Sequence, residues 1–289
     1  MAGNKGTIVI TGTSNGFGRS AAETFLREGW RVYATMRDSS GRNAAAASEL
    51  RTLGADVLEL DVTSDASVDA AAATILAAGP VDVLVNNAGN AYMGVAEAFS
   101  PAAAERQFAT NVFGPLRVNR AFLPGMRERH SGLVVYVSSV VGRMVVPFTG
   151  VYSASKWALE ALAESSSYEL RPFGVDVAIV EPGAYGTNVF ASMVSPDDTA
   201  RLASYGEVGK IFEQLGEGLA ESAKGRGVGE VGDAILALAN AAAGTRPLRT
   251  LVPDNEHVRE INERTAPIQR TILAEFGLGA LLAPEPAAV

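Results

Sequence analysis

The chain has 289 residues, of which 47% are hydrophobic and 19% charged, and this composition excludes an intrinsically disordered protein. It contains no cysteine and two histidines, so we expect no disulfide, no cysteine nucleophile and no metal site. The net charge of −8 disfavours nucleic acid and anionic lipid as partners.

No stretch of the sequence approaches the roughly 20 apolar residues of a membrane span. The apolar run near the amino terminus is shorter than the core of a signal peptide. The apolar stretch ILAEFGLGALLA near the other end is broken by Glu275 and two glycines. We therefore expect a cytoplasmic protein that has no membrane segment.

Short β-branched runs alternate along the chain with segments that have the apolar spacing of helices. The predicted strands cover Thr7 to Gly12, Arg31 to Thr35, Asp56 to Val62, and the runs VDVLVNNAG, GLVVYVSS and GVDVAIVEPG. The predicted helices cover Phe17 to Gly29, an alanine-rich segment ending at Gly54, a segment that begins after the N-cap Ser64, and residues around 102–129 and 152–171. This order predicts one α/β domain over residues 1–289, a Rossmann-type doubly wound parallel sheet of about seven strands with helices on both faces.

Residues 188–228 interrupt the alternation with a polar stretch that is dotted with glycines. Long irregular segments inside a compact domain are usually functional, so we predict a substrate lid here. The alternative is a helical insertion whose aromatic side chains face the core. Residues 255–289 are predicted to form a C-terminal helical segment.

A glycine-rich turn, Thr11 to Gly18, directly follows the first predicted strand and opens the first predicted helix. The free N–H groups at a helix N-terminus bind anions, and glycine lets a pyrophosphate approach the main chain. The turn therefore predicts a dinucleotide-binding loop, with a flexible turn as the alternative because its spacing is GxxxGxG. The expected contacts are Gly12, Ser14, Asn15, Gly16, Phe17 and Gly18.

The second predicted strand runs into Met36 and Arg37, with no acidic residue where a protein that prefers NAD usually places one. A guanidinium at this position suits the 2'-phosphate of NADP. The expected cofactor is therefore NADP(H). The alternative is that Arg37 is solvated or paired with the adjacent Asp38.

Tyr152 and Lys156 stand four residues apart in a predicted helix, so both side chains project from one face. An ammonium about 4 Å from a phenol favours the phenolate by about 4 kcal/mol at an effective dielectric constant of about 20, which would bring the phenol pKa close to neutral. Such a tyrosine would exchange a proton with a carbonyl or alcohol oxygen at neutral pH. Alone, the pair also fits an ordinary solvated helix face.

Six motifs in chain order between residues 11 and 187 are similar to those of the short-chain dehydrogenase/reductase family. They are TGxxxGxG, NNAG at Asn86 to Gly89, NVFG at Asn111 to Gly114, the serine pair ending at Ser139, YSASK at Tyr152 to Lys156, and PGAYGT at Pro182 to Thr187. The sequence resembles this family over about two thirds of its length, and the segment VYATMRD resembles hydroxysteroid dehydrogenases within it.

The resemblance implies a role for each matched residue. Tyr152 would be the general acid or base, Ser139 would hydrogen-bond the substrate oxygen, and Lys156 would bind the nicotinamide ribose and lower the tyrosine pKa. Asn111 would hold a water in the proton relay, with a local structural role as the alternative, and strand alternation sends Ser138 to the opposite face. Further expected cofactor contacts are Asp61, Val62, Asn87, Ala88, Gly89, Pro182, Gly183 and Thr187.

The resemblance further implies hydride transfer between NADP(H) and a ketone or secondary alcohol, as in carbonyl reductases and alcohol dehydrogenases. The alternative is a protein that senses NADP(H) and regulates a partner without turnover, but all four catalytic positions of the family are present. The residues expected near the substrate are mainly apolar, which suits a hydrophobic, aromatic or polycyclic carbonyl compound, unless they line the core. They are Tyr92, Met93, Val141, Met144, Val145, Tyr185, Phe190 and Met193.

Members of the family commonly assemble through their two long helices, here around residues 102–129 and 152–171. The second helix carries more apolar surface than one core-facing side requires. We therefore expect a homodimer or homotetramer.

Overall fold

A seven-stranded, all-parallel sheet forms the centre of the molecule. The computed structural model describes residues 5–185, 193–209, 211–212 and 226–282. The strands are β1 (Thr7–Thr11), β2 (Arg31–Met36), β3 (Asp56–Glu59), β4 (Val83–Asn86), β5 (Gly132–Val137), β6 (Val175–Pro182) and β7 (Arg249–Val252). Their order is β3-β2-β1-β4-β5-β6-β7. Strands β2 and β3 therefore lie on one side of β1, and β4 to β7 lie on the other. Such a change in the direction of strand order between β1 and β4 opens a ligand crevice at the carboxyl ends of the strands.

Helices cover both faces of this sheet. Those in the described residues are α1 (Gly16–Arg27), α2 (Ala44–Thr52), α3 (Asp65–Ala77), α4 (Pro101–Phe108), α5 (Gly114–Arg129), α6 (Gly150–Leu170), α7 (Thr199–Ser204), α8 (Gly229–Asn240) and α9 (Glu256–Glu275). Successive β1 residues alternate between two cores: Ile8 and Ile10 belong to the core that includes α1 and α8, and Val9 belongs to the core that includes α5 and α6. This two-sided burial explains the continuous apolar runs of the strands.

The structure confirms the fold predicted from the sequence, with three differences. The third strand ends at Glu59 instead of Val62, and the helix predicted over residues 102–129 is divided at Ala109–Phe113 by a π-helical turn. The short edge strand Arg249–Val252 was not located from the sequence. Ser64 is confirmed as an N-cap, since its side chain accepts a hydrogen bond from the N–H of Ser67.

The two segments after β6 are described in part. Of the lid predicted over 188–228, residues 188–192, 210 and 213–225 lie outside the described residues, and the rest includes the short helix α7. Helix α9 accounts for much of the predicted C-terminal segment, whose residues 283–289 are also outside the description. None of the helices in the described residues is long and apolar enough to cross a membrane.

Candidate active site

The loops that leave four neighbouring strands meet in one crevice. Gly12 follows β1, Asn87 follows β4, Ser139 follows shortly after β5 and Gly183 follows β6. Because these strands are parallel and adjacent, their carboxyl ends lie at one edge of the sheet. The segments that the sequence singled out are therefore brought together by the topology.

Close packing at the first loop requires glycine at two positions. A Cβ atom on Gly12 would lie 2.8 Å from the Cα of Ala88, and one on Gly18 would overlap Nδ2 of Asn87 and lie 2.5 Å from the carbonyl oxygen of Gly12. Nδ2 of Asn87 donates to the carbonyl oxygens of Thr11 at 2.8 Å and Gly12 at 3.1 Å. The two glycines thus allow the loop after β4 to pack closely against the loop after β1 and to bond to it through Asn87.

Gly16 differs from these two glycines because the space beside it is open. It has a φ of +58°, which favours glycine, and no atom lies within 4 Å of the position that a Cβ would take. The preceding residue, Asn15, is the N-cap of α1 but makes no side-chain capping hydrogen bond. An uncapped helix N-terminus beside an open glycine fits a bound pyrophosphate.

Arg37 lies at the exposed end of β2. Its carbonyl oxygen accepts a hydrogen bond from Nδ2 of Asn43 at 2.6 Å. The carboxylate of Asp38 accepts a bond from the N–H of Arg42 at 2.9 Å, and no ion pair of Arg37 is found within the described ranges. The guanidinium is therefore available for a phosphate.

Three of the predicted catalytic side chains converge beyond the end of β5. Oγ of Ser139 donates to the carbonyl oxygen of Pro182 at 3.4 Å and accepts from the N–H of Val141 at 3.3 Å, and it lies close enough to the Tyr152 phenol to lower the pKa of that group. Nζ of Lys156 lies 5.8 Å from the centre of the Tyr152 ring and donates to the carbonyl oxygen of Val137 at 2.8 Å. Tyr152 and Lys156 share one face of α6, as their spacing predicts.

The protonation of this pair differs from the expectation. Loss of hydration raises the pKa of Tyr152 to about 12, and the hydrogen bond with Ser139 opposes that rise. Burial lowers the pKa of Lys156 to about 8, against the opposing charge of Glu160. The expected near-neutral tyrosine pKa is thus wrong for this structure, because burial disfavours the phenolate and the Lys156 ammonium donates its hydrogen bond to Val137. The phenol is therefore protonated at neutral pH.

Asn111 lies in the π-helical turn between α4 and α5, and 1% of its surface is exposed. Its Oδ1 accepts from the N–H of Asn90 at 3.0 Å, and its Nδ2 donates to the carbonyl oxygen of Asn90 at 3.0 Å and to Oγ of Ser155 at 3.1 Å. The side chain therefore joins the β4 loop to α6, which agrees with the local role considered from the sequence. Its catalytic role stays a prediction.

The predicted adenine-side contacts have local partners. The carboxylate of Asp61 accepts from the N–H and the hydroxyl of Thr63 at 2.9 and 2.8 Å. Val62 is buried, and a Cβ on Gly114 would lie 2.9 Å from its Cγ2. At the nicotinamide end, the N–H of Gly183 donates to the carbonyl oxygen of Val252, whereas Thr187 lies outside the described residues. Cofactor contact by these residues, and by Ala88, Gly89 and Pro182, stays a prediction.

The predicted substrate residues divide into two groups. Met144 and Met193 are partly exposed, and Val145 is 66% exposed, so these apolar side chains can contact a ligand. Tyr92, Met93 and Val141 are buried, and Phe190 lies outside the described residues.

Tyr185 is a correction to the substrate prediction. It is 2% exposed, donates to Oε2 of Glu230 at 2.7 Å, and packs edge-on against Phe17 with ring centres 5.3 Å apart. This side chain therefore belongs to the core and packs against Phe17 of the glycine-rich turn.

Two supporting residues of the crevice were missed by sequence reasoning. Gln107 accepts from the N–H of Tyr92 at 2.8 Å and donates to the carbonyl oxygen of Asn90 at 2.7 Å, yet its place in α4 carries no motif. Phe148 has a φ of +67°, an uncommon conformation for a residue other than glycine, and its ring lies 5.6 Å from that of Phe212. No local signal in the sequence indicates either contact.

A family model described as short chain dehydrogenase matches residues 6–198, two thirds of the chain, from β1 through β6. The chain belongs to the short-chain dehydrogenase/reductase family. The resemblance inferred from six motifs is thereby confirmed.

The curated relatives of this family member include enzymes named for lipid-like alcohols. Retinol dehydrogenase 8 of Bos taurus is 40% identical over 207 residues, which are 70% of this chain and 66% of the relative. The 17-beta-hydroxysteroid dehydrogenase type 1 of Mus musculus is 41% identical, over 65% of this chain and 56% of the relative. The chain thus spans less than two thirds of the length of these two proteins.

Solved structures of the family have the same fold along most of the chain. A short-chain dehydrogenase from Streptomyces avermitilis is 34% identical with a TM-score of 0.75, over 96% of this chain and 97% of that one. An alcohol dehydrogenase from Thermococcus sibiricus, solved with 5-hydroxy-NADP, is 25% identical with a TM-score of 0.67, over 85% and 95%. A dehydrogenase/reductase from Burkholderia phymatum, solved with NAD, has a TM-score of 0.71 at 24% identity over 99% of both chains, and this likeness concerns the fold alone.

Proposed function

We propose that this protein is an NADP(H)-dependent oxidoreductase that transfers hydride between the nicotinamide and a hydrophobic ketone or secondary alcohol. The observation that carries the proposal is the convergence of Ser139, Tyr152 and Lys156 beyond β5, in the crevice whose other side holds the open cradle at Gly16. When bound, the nicotinamide would supply or accept the hydride.

Tyr152 exchanges the proton that accompanies hydride transfer. Its phenol is protonated at neutral pH, so its Oη is suited to donate a proton to the oxygen of a carbonyl substrate. Ser139, which lies beside the same phenol, holds that oxygen in place. These protonation states favour carbonyl reduction as the direction at neutral pH.

Lys156 binds the nicotinamide ribose and adds positive charge beside the phenol. Its ammonium is buried and has the carbonyl oxygen of Val137 as an acceptor, which leaves further N–H donors for ribose hydroxyls. With a pKa of about 8 it is largely protonated at neutral pH. The positive charge would stabilise the phenolate that remains after proton donation.

The preference for NADP(H) rests on Arg37. This side chain is exposed, has no ion pair among the described residues, and lies at the end of β2, where the family fold holds the adenosine ribose. The Thermococcus sibiricus dehydrogenase was solved with an NADP derivative, which agrees with this cofactor class.

The substrate class rests on the apolar side chains beside the catalytic residues. Met144, Val145 and Met193 present partly or largely exposed apolar surface. The relatives named for retinol and for hydroxysteroids point the same way. We therefore infer an extended or polycyclic carbonyl compound.

The experiment compares Tyr152→Phe with Tyr168→Phe, a matched control on the same helix whose hydroxyl bonds to Glu164 at 2.7 Å. A panel of steroid ketones, retinal and aromatic ketones is assayed with NADPH and NADH. We expect Tyr152→Phe to lose at least about 100-fold in kcat and to bind NADPH normally, because it removes the general acid alone. Tyr168→Phe should keep most of its turnover.

Substantial turnover by Tyr152→Phe would refute the assignment of the proton donor. Activity confined to small polar sugars would refute the substrate class. Equal use of NADH and NADPH would refute the cofactor preference.

We also propose that the protein is a homo-oligomer that assembles through α5 and α6. Phe113 at the start of α5, Leu116 within it and Trp157 on α6 are between 41% and 48% exposed. Exposed apolar side chains on these two helices fit an interface between copies of the chain.

A further inference from the structure

A buried group of charged side chains lies one helical turn beyond Lys156, and we call Glu160, Glu164, Glu181 and Arg249 the carboxylate cluster. Nε of Arg249 lies 3.0 Å from Oε2 of Glu160 and 3.5 Å from Oε1 of Glu181, and its Nη2 lies 2.6 Å from Oε2 of Glu164. Glu160 is 2% exposed and Glu181 is fully buried. Burial of charge on this scale is costly, which raises the question of what the cluster does.

The cluster packs directly against the catalytic elements. Glu160 follows Lys156 by four residues in α6, so the two side chains share one helix face, and both are buried. A Cβ on Gly142, in the turn that follows Ser139, would lie 3.1 Å from Cγ of Glu160 and 3.4 Å from the carbonyl oxygen of Lys156. Glu160 thus lies on the same helix as Lys156 and packs against the turn that follows Ser139.

Lys156 needs a nearby negative charge because its surroundings disfavour the ammonium. Its one hydrogen bond among the described residues is to the neutral carbonyl oxygen of Val137. Burial lowers the pKa of Lys156, and the charge of Glu160 is the attraction that opposes this. Arg249 in turn favours the carboxylate form of Glu160, whose pKa burial raises.

We propose that Glu160 is a positioning residue for the reaction: its buried carboxylate, one helical turn from Lys156 on the same face of α6, stabilises the positive charge of Lys156. The inference rests on the role proposed above for Lys156. The charged groups that face Glu160 are Arg249 from β7, Glu181 from β6, and Arg143 from the turn after Ser139. Helix α9 contributes the neutral Asn262, which bonds to both Glu181 and Arg143 at 2.8 Å.

The chain offers a direct readout, since it has only four lysines, Lys5, Lys156, Lys210 and Lys224. Protein labelled with ¹³C at the lysine side chains is titrated by NMR from pH 6 to pH 11, and Lys156→Arg identifies the resonance. Glu160→Gln is compared with Glu164→Gln, a matched control that removes a carboxylate bonded to the same Arg249 one turn further along α6.

We expect Glu160→Gln to lower the titration midpoint of Lys156 by about one pH unit or more, the size of a charge interaction over one helical turn at a protein-like dielectric constant. Glu164→Gln should change the midpoint by less than half as much. An unchanged midpoint in Glu160→Gln, or equal changes in the two variants, would overturn the proposal.

Glu160→Asp keeps a charge in the carboxylate cluster and withdraws it by one methylene. A fall of the midpoint in the same direction but smaller supports the proposal, and a rise or no change overturns it, so this variant decides the question if Glu160→Gln does not fold. The pH dependence of turnover is recorded separately. A lower Lys156 midpoint with an unchanged pH profile of turnover would support the effect of Glu160 on Lys156 and refute the catalytic role proposed for Lys156.

Discussion

Substitution of the two loop glycines, Gly16 and Gly18, is expected to separate a loss of cofactor affinity from a loss of stability. A methyl on Gly18 would overlap Asn87 and approach the carbonyl oxygen of Gly12, whereas a methyl on Gly16 would enter open space. Gly16→Ala should therefore act on the cofactor, and Gly18→Ala should act on the fold.

The magnitudes follow from these contacts. In Gly18→Ala, overpacking costs about 1–3 kcal/mol. Loss of the two hydrogen bonds of the Asn87 side chain destabilises the fold by about 1 kcal/mol each. The better helix propensity of alanine offsets about 1 kcal/mol of this loss. The free energy of unfolding should fall by about 2–4 kcal/mol. In Gly16→Ala, only the left-handed backbone is strained, at a cost of about 1–2 kcal/mol.

Urea unfolding measures the first effect, and quenching of tryptophan fluorescence by NADPH measures the second. We expect Gly16→Ala to raise the Kd for NADPH at least about tenfold, which is about 1.4 kcal/mol, because its methyl occupies the space left for the pyrophosphate. A normal Kd in Gly16→Ala would refute the cradle, and a Gly18→Ala protein as stable as the parent would refute the packing argument.

Three further predictions concern the cofactor, pH and assembly. Arg37→Asp should raise the Kd for NADPH about 10- to 100-fold and leave that for NADH within about threefold, because it removes a charge-assisted phosphate contact; equal losses in a fluorescence titration would mean that Arg37 has another role. Burial and the charge of Glu160 raise the pKa of Glu181 to about 7. The protonated side chain therefore contributes its full share to the free energy of unfolding below pH 4.5, the ordinary pKa of the group, and this contribution is lost as the pH rises toward 7. Glu181→Gln should therefore gain stability relative to the parent between pH 5 and pH 8 in urea unfolding, and a constant difference would contradict the shift. Trp157→Glu should shift the mass measured by light scattering toward a single chain, and a parent protein that is already monomeric would refute the interface.

Much of the fold could be predicted from the sequence because the strands are short, mainly apolar runs and the segments between them have the apolar spacing of helices. The end of β3 was misplaced because Leu60 and Val62 are as apolar as strand residues, although they pack after the strand has ended. The edge strand β7 was missed because four residues, only one of them buried, give little periodicity.

The candidate site was predictable where function depends on local spacing and less so where it depends on tertiary contacts. The glycine loop and the face shared by Tyr152 and Lys156 follow from short motifs. The direction of the Lys156 ammonium was not predictable, because its acceptor is a carbonyl oxygen on β5. Tyr185 was misassigned because its partner Glu230 is 45 residues away in the chain.

The family match ends at residue 198, yet Arg249 and Asn262, which reach Glu160 and Glu181, come from the segment beyond it. Replacing this carboxy-terminal part with a segment that lacks both side chains would leave Glu160 and Glu181 buried without these partners. A workable chimera must carry both Arg249 and Asn262 along with the graft, or replace the two acids that they bind.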